Sequence, residues 1–151
     1  EHVLQLGIDW NGSANAAGHD SSSVVLPGIG TLEAQCPATP VDDDSVRRLV
    51  LTPSNPSTIR TVATLTTFQG SGTDAAAQTR IPGEGTPIIA PIPRNGMING
   101  TFSIEPKNLA SVDPGVLPTA SITLSSYWKD NDPVPGENYC HISAQLIAEE
   151  A

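Results

Sequence analysis

Fourteen prolines and thirteen glycines, distributed from Gly7 to Gly136, set the strongest limit on what this chain can fold into. Proline costs about 3 kcal/mol inside a helix and is excluded from the central strands of a sheet, so each one marks a strand end or a loop. Between these breaks lie short runs rich in Val, Ile, Leu and Thr, which read as strands.

Residues 2–10 alternate, with Leu4, Leu6, Ile8 and Trp10 on one face and Gln5 and Asp9 on the other, as in a half-buried strand. Residues 11–23 have no periodicity and read as a long loop. Residues 24–26 and 31–36 read as strands joined through the turn dipeptide Pro27-Gly28, and residues 47–52 as the next. The longest β-type run, residues 58–68, places Ile59, Ala63 and Leu65 on one face and Val62 and Phe68 on the other. A run apolar on both faces belongs at the centre of a sandwich or against another chain. Within the loop-like stretch 69–85, residues 74–78 form the one candidate helical turn. Residues 86–92, bracketed by Pro87, Pro91 and Pro93, read as an edge strand. Residues 97–105, 119–128 and 139–148 alternate again, the last placing Cys140, Ile142, Ala144, Leu146 and Ala148 on one face. Strands at this spacing predict an all-β chain: an antiparallel β-sandwich, jelly-roll or immunoglobulin-like, of about eight or nine strands in a single domain over residues 1–151.

Cys36 and Cys140 are the only cysteines, and each lies on the apolar face of its strand. An inter-strand disulfide is therefore expected. Closing a loop of roughly 100 residues contributes about 4 to 5 kcal/mol in the chain-entropy model. The spacing differs from that of immunoglobulin domains, whose cysteines lie closer together with a tryptophan between them. A disulfide, a lysine-poor composition and a chain starting at Glu1 rather than Met predict a secreted or cell-surface protein in its mature form after signal-peptide removal. No apolar run approaches the ~20 residues that a membrane-spanning helix needs, so no membrane insertion is expected.

Sixteen acidic and seven basic residues give a formal net charge of −9. Such a field repels a phosphate backbone, which argues against nucleic-acid partners.

Chemistry-bearing residues are sparse. His19 stands beside Asp20 and Ser21, but triad members come from separate elements, and consecutive residues cannot reach the relay geometry. His141 falls on the outer face of the last strand, opposite Cys140, so the two cannot share a zinc ion. Cys36 and Cys140 lie in no Cys-x-x-Cys motif, and a structural role is expected for both. Nothing fixes two carboxylates across a cleft for glycoside hydrolysis. No organic cofactor is implied. The acidic turn at residues 130–137 offers hard oxygen ligands at alternating spacing, making Asp130, Asp132 and Glu137 candidate ligands for a structural Ca²⁺. Trp10, Tyr127 and Trp128, at strand ends, are candidate glycan contacts, although parity turns both tryptophans toward the core. Asn11-Gly12-Ser13 and Asn99-Gly100-Thr101 fit the glycan acceptor pattern.

These features predict a non-catalytic extracellular β-sandwich that works through surface contacts, as a structural subunit assembling with copies of itself. A carbohydrate-binding module is the alternative, with glycans as partners, and a secreted hydrolase the third. The first strand either pairs within the chain or is donated to a neighbouring subunit. The outward residues of the last strand, His141, Ser143 and Gln145, are assigned no chemistry.

Overall fold

A computed structural model describes residues 2–11, 20–36, 47–54, 59–69, 75–80, 87–106, 118–129 and 139–149. Its strands are β1 (His2–Asn11), β2 (Asp20–Leu26), β3 (Gly30–Cys36), β4 (Arg48–Pro53), β5 (Ile59–Gln69), β6 (Ala75–Arg80), β7 (Ile88–Pro91), β8 (Asn95–Pro106), β9 (Thr119–Lys129) and β10 (Tyr139–Glu149). They form a six-stranded sheet in the order β1-β10-β9-β8-β5-β6 and a four-stranded sheet in the order β2-β3-β4-β7. Every pairing is antiparallel.

Both sheets contribute to one hydrophobic cluster. Leu26, Leu32, Leu49, Leu51 and Ile88 enter it from the smaller sheet, and Leu6, Ile98, Phe102, Leu124 and Leu146 from the larger. The alternation read from residues 139–148 is complete: Cys140, Ile142, Ala144, Leu146 and Ala148 are buried, and His141, Ser143, Gln145 and Ile147 are exposed. Strand β9 repeats the pattern with Ala120, Ile122, Leu124 and Trp128 inside. The predicted disulfide joins the sheets. Cys36 on β3 bonds Cys140 on β10 with Cα atoms 6.3 Å apart, closing a sequence separation of 104 residues.

The turn dipeptide works as read. Gly28 has φ +74°, and the Ile29 N–H donates to the Leu26 carbonyl at 3.0 Å. Proline followed by a positive-φ glycine is the type II signature. At the other end of the sandwich, the Ile92 N–H donates to the Arg47 carbonyl (2.9 Å), the Trp128 N–H to the Arg94 carbonyl (2.7 Å), and the Ser126 hydroxyl to the Pro93 carbonyl (2.7 Å). These bonds fix the crossing from β7 in one sheet to β8 in the other. Beside them Trp128 is buried, with the Arg47 guanidinium carbon 5.9 Å from its ring centroid.

Three expectations change. First, residues 75–80 form an edge strand rather than the helical turn expected at 74–78. Three alanines and a glutamine favour helix locally, but so short a run cannot offset the cost of helix nucleation. The open side of β5 supplies a partner instead, from Phe68↔Ala75 to Ala63↔Arg80. Second, β2 begins at Asp20, inside the stretch read as a loop at 11–23, because β3 pairs its serines (Ser21↔Gln35, Ser23↔Glu33) as readily as its valines. Third, β5 lies next to the edge and not at the sheet centre. Ala63 and Leu65 are buried, whereas Phe68 is exposed on the outer face.

The first strand pairs within the chain, with β10 along its whole length from His2↔Ala148 to Asn11↔Tyr139. Its other side lies against β2, where the Gly7 N–H donates a long, 3.4 Å bond to the Ser22 hydroxyl. Strand β7 is an edge, as its prolines predict. No helix among the described residues is long and apolar enough to cross a membrane.

Candidate functional site

The outward side chains of the six-stranded sheet form rows that cross the strands. One row runs Gly7, Ser143, Ser125, Met97 and Phe68 over β1, β10, β9, β8 and β5. The next toward the disulfide end runs His141, Tyr127 and Asn95, with the Asp9 backbone in register beside His141. On the other side lie Gln5, Gln145, Thr123, Asn99 and Thr66. Hydroxyl and amide groups dominate this face, while the Arg60–Glu105 ion pair (3.3 Å) sits at its far end.

Between the first two rows the face sinks into an open depression of about 510 Å³, lined by Gly7, Ile8, Ser125, Ser126, Tyr127, His141, Ile142 and Ser143. The hollow arises because Gly7 places no side chain in a row whose neighbours are serines. Nothing stands within 4 Å of where its Cβ would lie. The Tyr127 and His141 rings form one wall, with centroids 6.2 Å apart and planes inclined at 53°. Among the described residues, none that lines it is Lys, Arg, Asp or Glu.

An imidazole close to serine hydroxyls, with Asp9 in register opposite it, resembles a hydrolase constellation in composition. Acyl transfer also needs donors aimed at a developing oxyanion. Here β9 and β10 are each hydrogen-bonded to strands on both sides at these positions, so their backbone N–H groups are engaged in the sheet ladders. The Gly7 N–H bonds Ser22. The arrangement suits binding: an exposed aromatic ring flanked by groups that both donate and accept hydrogen bonds.

The structure divides the residues singled out in the sequence. Tyr127 is 48% exposed on the outer face, while Trp128, one residue on, is 1% exposed in the core. As a glycan contact Trp128 is therefore corrected to a core side chain, because adjacent strand residues point to opposite faces. The Trp10 side chain lies outside the described residues, although its backbone pairs with Cys140. Asp130, Asp132 and Glu137 lie outside them, as do His19 and Asn11-Gly12-Ser13 as a unit. Among the described residues no three His, Cys, Asp or Glu side chains gather into a metal-binding group. Asn99 stands mid-strand in β8, between Thr66 and Thr123.

His141, Ser143, Ser125 and Gly7 are the site residues that the sequence reading leaves without a role. Pairing β9 with β10 about the intervening loop would have set His141 beside Tyr127. The contribution of Gly7 depends on the register of β1, which has no such local constraint.

No protein-family model matches this chain, and no curated protein or solved structure is significantly similar to it.

Proposed function

We propose that this protein is a non-catalytic extracellular β-sandwich subunit that associates with a second copy of itself by strand addition at β6. One observation carries the reading: of the sheet edges, β6 is the one that, among the described residues, is neither covered by another element nor interrupted by proline. An unprotected edge presents unpaired N–H and C=O groups to any strand that approaches, and natural sheets guard against this with prolines, charges, short strands or a covering element. β1 is covered by β2, through the Gly7–Ser22 bond among other contacts, and β2 is covered in turn by β1. β7 has only four residues, with Pro91 within it and Pro87 and Pro93 beside it. β6 has six residues and no proline, its one charged residue is the terminal Arg80, and among the described residues it is hydrogen-bonded to β5 alone.

Two β6 strands pairing antiparallel about a two-fold axis would join the six-stranded sheets into one, a closed dimer of the isologous kind. The nearly uncharged strand suits this in a chain of net charge −9, whose copies repel each other elsewhere. The Cys36–Cys140 bond supports an oxidising, extracellular setting.

Sedimentation velocity over a concentration series tests the reading. The unmodified protein should show a concentration-dependent monomer–dimer equilibrium, weakened at least tenfold by Ala77→Lys, while Ile89→Lys on β7 should leave it unchanged. A protein that stays monomeric at millimolar concentration, or a dimer indifferent to Ala77→Lys, would overturn it.

A further inference from the structure

The depression on the outer face of the six-stranded sheet lies at the β1/β10/β9 side, away from the β6 edge, and so remains open in a dimer formed there. We infer that this depression is a binding site for a neutral, linear oligosaccharide, with Tyr127 as its stacking platform.

The chemistry of the lining selects the ligand. A pyranose ring has an apolar face of C–H groups and a rim of hydroxyls. The first suits an exposed aromatic ring, and the second suits side chains that both donate and accept. Tyr127 supplies the ring, while Ser125, Ser143 and His141 supply hydrogen-bonding groups around it. Charge narrows the class further. An anionic saccharide would find no Lys or Arg among the described lining residues and would meet the field of a chain with net charge −9. A purely apolar ligand would bury the serine hydroxyls without partners, at a cost of about 1 to 3 kcal/mol each.

The shape of the face indicates a chain in preference to a single sugar. The depression is open, and its row continues from Gly7, Ser143 and Ser125 to Met97 and Phe68, both exposed. With strands about 4.8 Å apart, the row spans about 19 Å, long enough for several sugar units end to end. Gln145, Thr123 and Asn99 line its flank with further donors and acceptors.

Gly7 allows a test that does not disturb the fold. Its Cβ position is empty and its φ is not in the left-handed region, so Gly7→Gln fills the hollow without a clash or backbone strain. Backbone amide NMR titrations would use the neutral hexasaccharides of β-1,4-linked glucose, xylose, mannose and N-acetylglucosamine, with a sulfated heparin hexasaccharide as the anionic comparison. At least one neutral hexasaccharide should bind saturably, with a Kd between about 10 μM and 1 mM. The shifts should centre on Gly7, Ser125, Tyr127, His141 and Ser143, and Tyr127→Ala and Gly7→Gln should each weaken binding at least tenfold while moving the unfolding temperature by no more than about 4 °C. Failure of all four neutral probes to bind at several millimolar would overturn the inference. So would binding that both variants leave intact, or heparin bound as tightly as the best neutral probe.

Discussion

Tyr127 and His141 are directly opposite one another on β9 and β10, and their rings meet at 6.2 Å on the outer face of the large sheet. That separation lies within the usual range for paired aromatic rings, but the contact is open to solvent and holds little of the fold together. Tyr127→Ala is therefore expected to change stability by no more than about 0.5 to 1 kcal/mol in chemical denaturation. The same substitution should shift the His141 ring-proton resonances by removing the neighbouring ring current.

The next residue behaves oppositely. Trp128 fills the core beside Arg47 and opposite Cys140, and its backbone holds the β7-to-β8 crossing through Arg94. Trp128→Ala should cost about 3 to 5 kcal/mol, the range for large aromatic truncations in cores. Urea unfolding midpoints of the two alanine variants, compared at equal m-values, check the contrast.

The Cys36–Cys140 bond ties the two sheets and closes most of the chain into one loop. Replacing both cysteines with serine should lower stability by about 3 to 5 kcal/mol. At about 2 to 4 °C per kcal/mol for a chain of this size, the unfolding temperature should fall by roughly 6 to 20 °C in calorimetry.

Two glycines in the large sheet should respond in opposite ways. A Cβ at Gly100 would overlap the backbone of β5 at Thr64 and the side chain of Leu65, whereas one at Gly7 meets nothing within 4 Å. Gly100→Ala should destabilise by about 1 to 3 kcal/mol through overpacking. Gly7→Ala should be neutral or stabilising by up to about 1 kcal/mol, since it restricts the unfolded chain at no cost to the folded one. Thermal unfolding of the pair decides.

The parts of the fold legible in the sequence are those in which side-chain parity and core burial coincide. Strands β9 and β10 alternate without a break, so their inner faces, and with them Cys140, could be assigned before any partner strand was known. Prolines marked β7 as an edge because the missing N–H acts locally. Strand β6 and the first half of β2 are not legible because their conformation is imposed by a neighbour: alanines at 75–77 follow β5, and serines at 21–23 follow β3, against their own local preferences. The depression escaped for a related reason. Its residues come from β1, β9 and β10, and only the register between strands brings Gly7, Ser143 and Tyr127 together. Of its lining, only Tyr127 carries a signal of its own in the sequence; the serines, His141 and Gly7 are unremarkable alone.

Hydrogen–deuterium exchange of the β6 amides, followed as protein concentration is raised from micromolar to millimolar, tests the assembly most directly. Association through β6 predicts that protection across residues 75–80 rises with concentration while the β1 and β7 amides stay unchanged. Protection at β6 that does not depend on concentration, or that rises only at another edge, would contradict it.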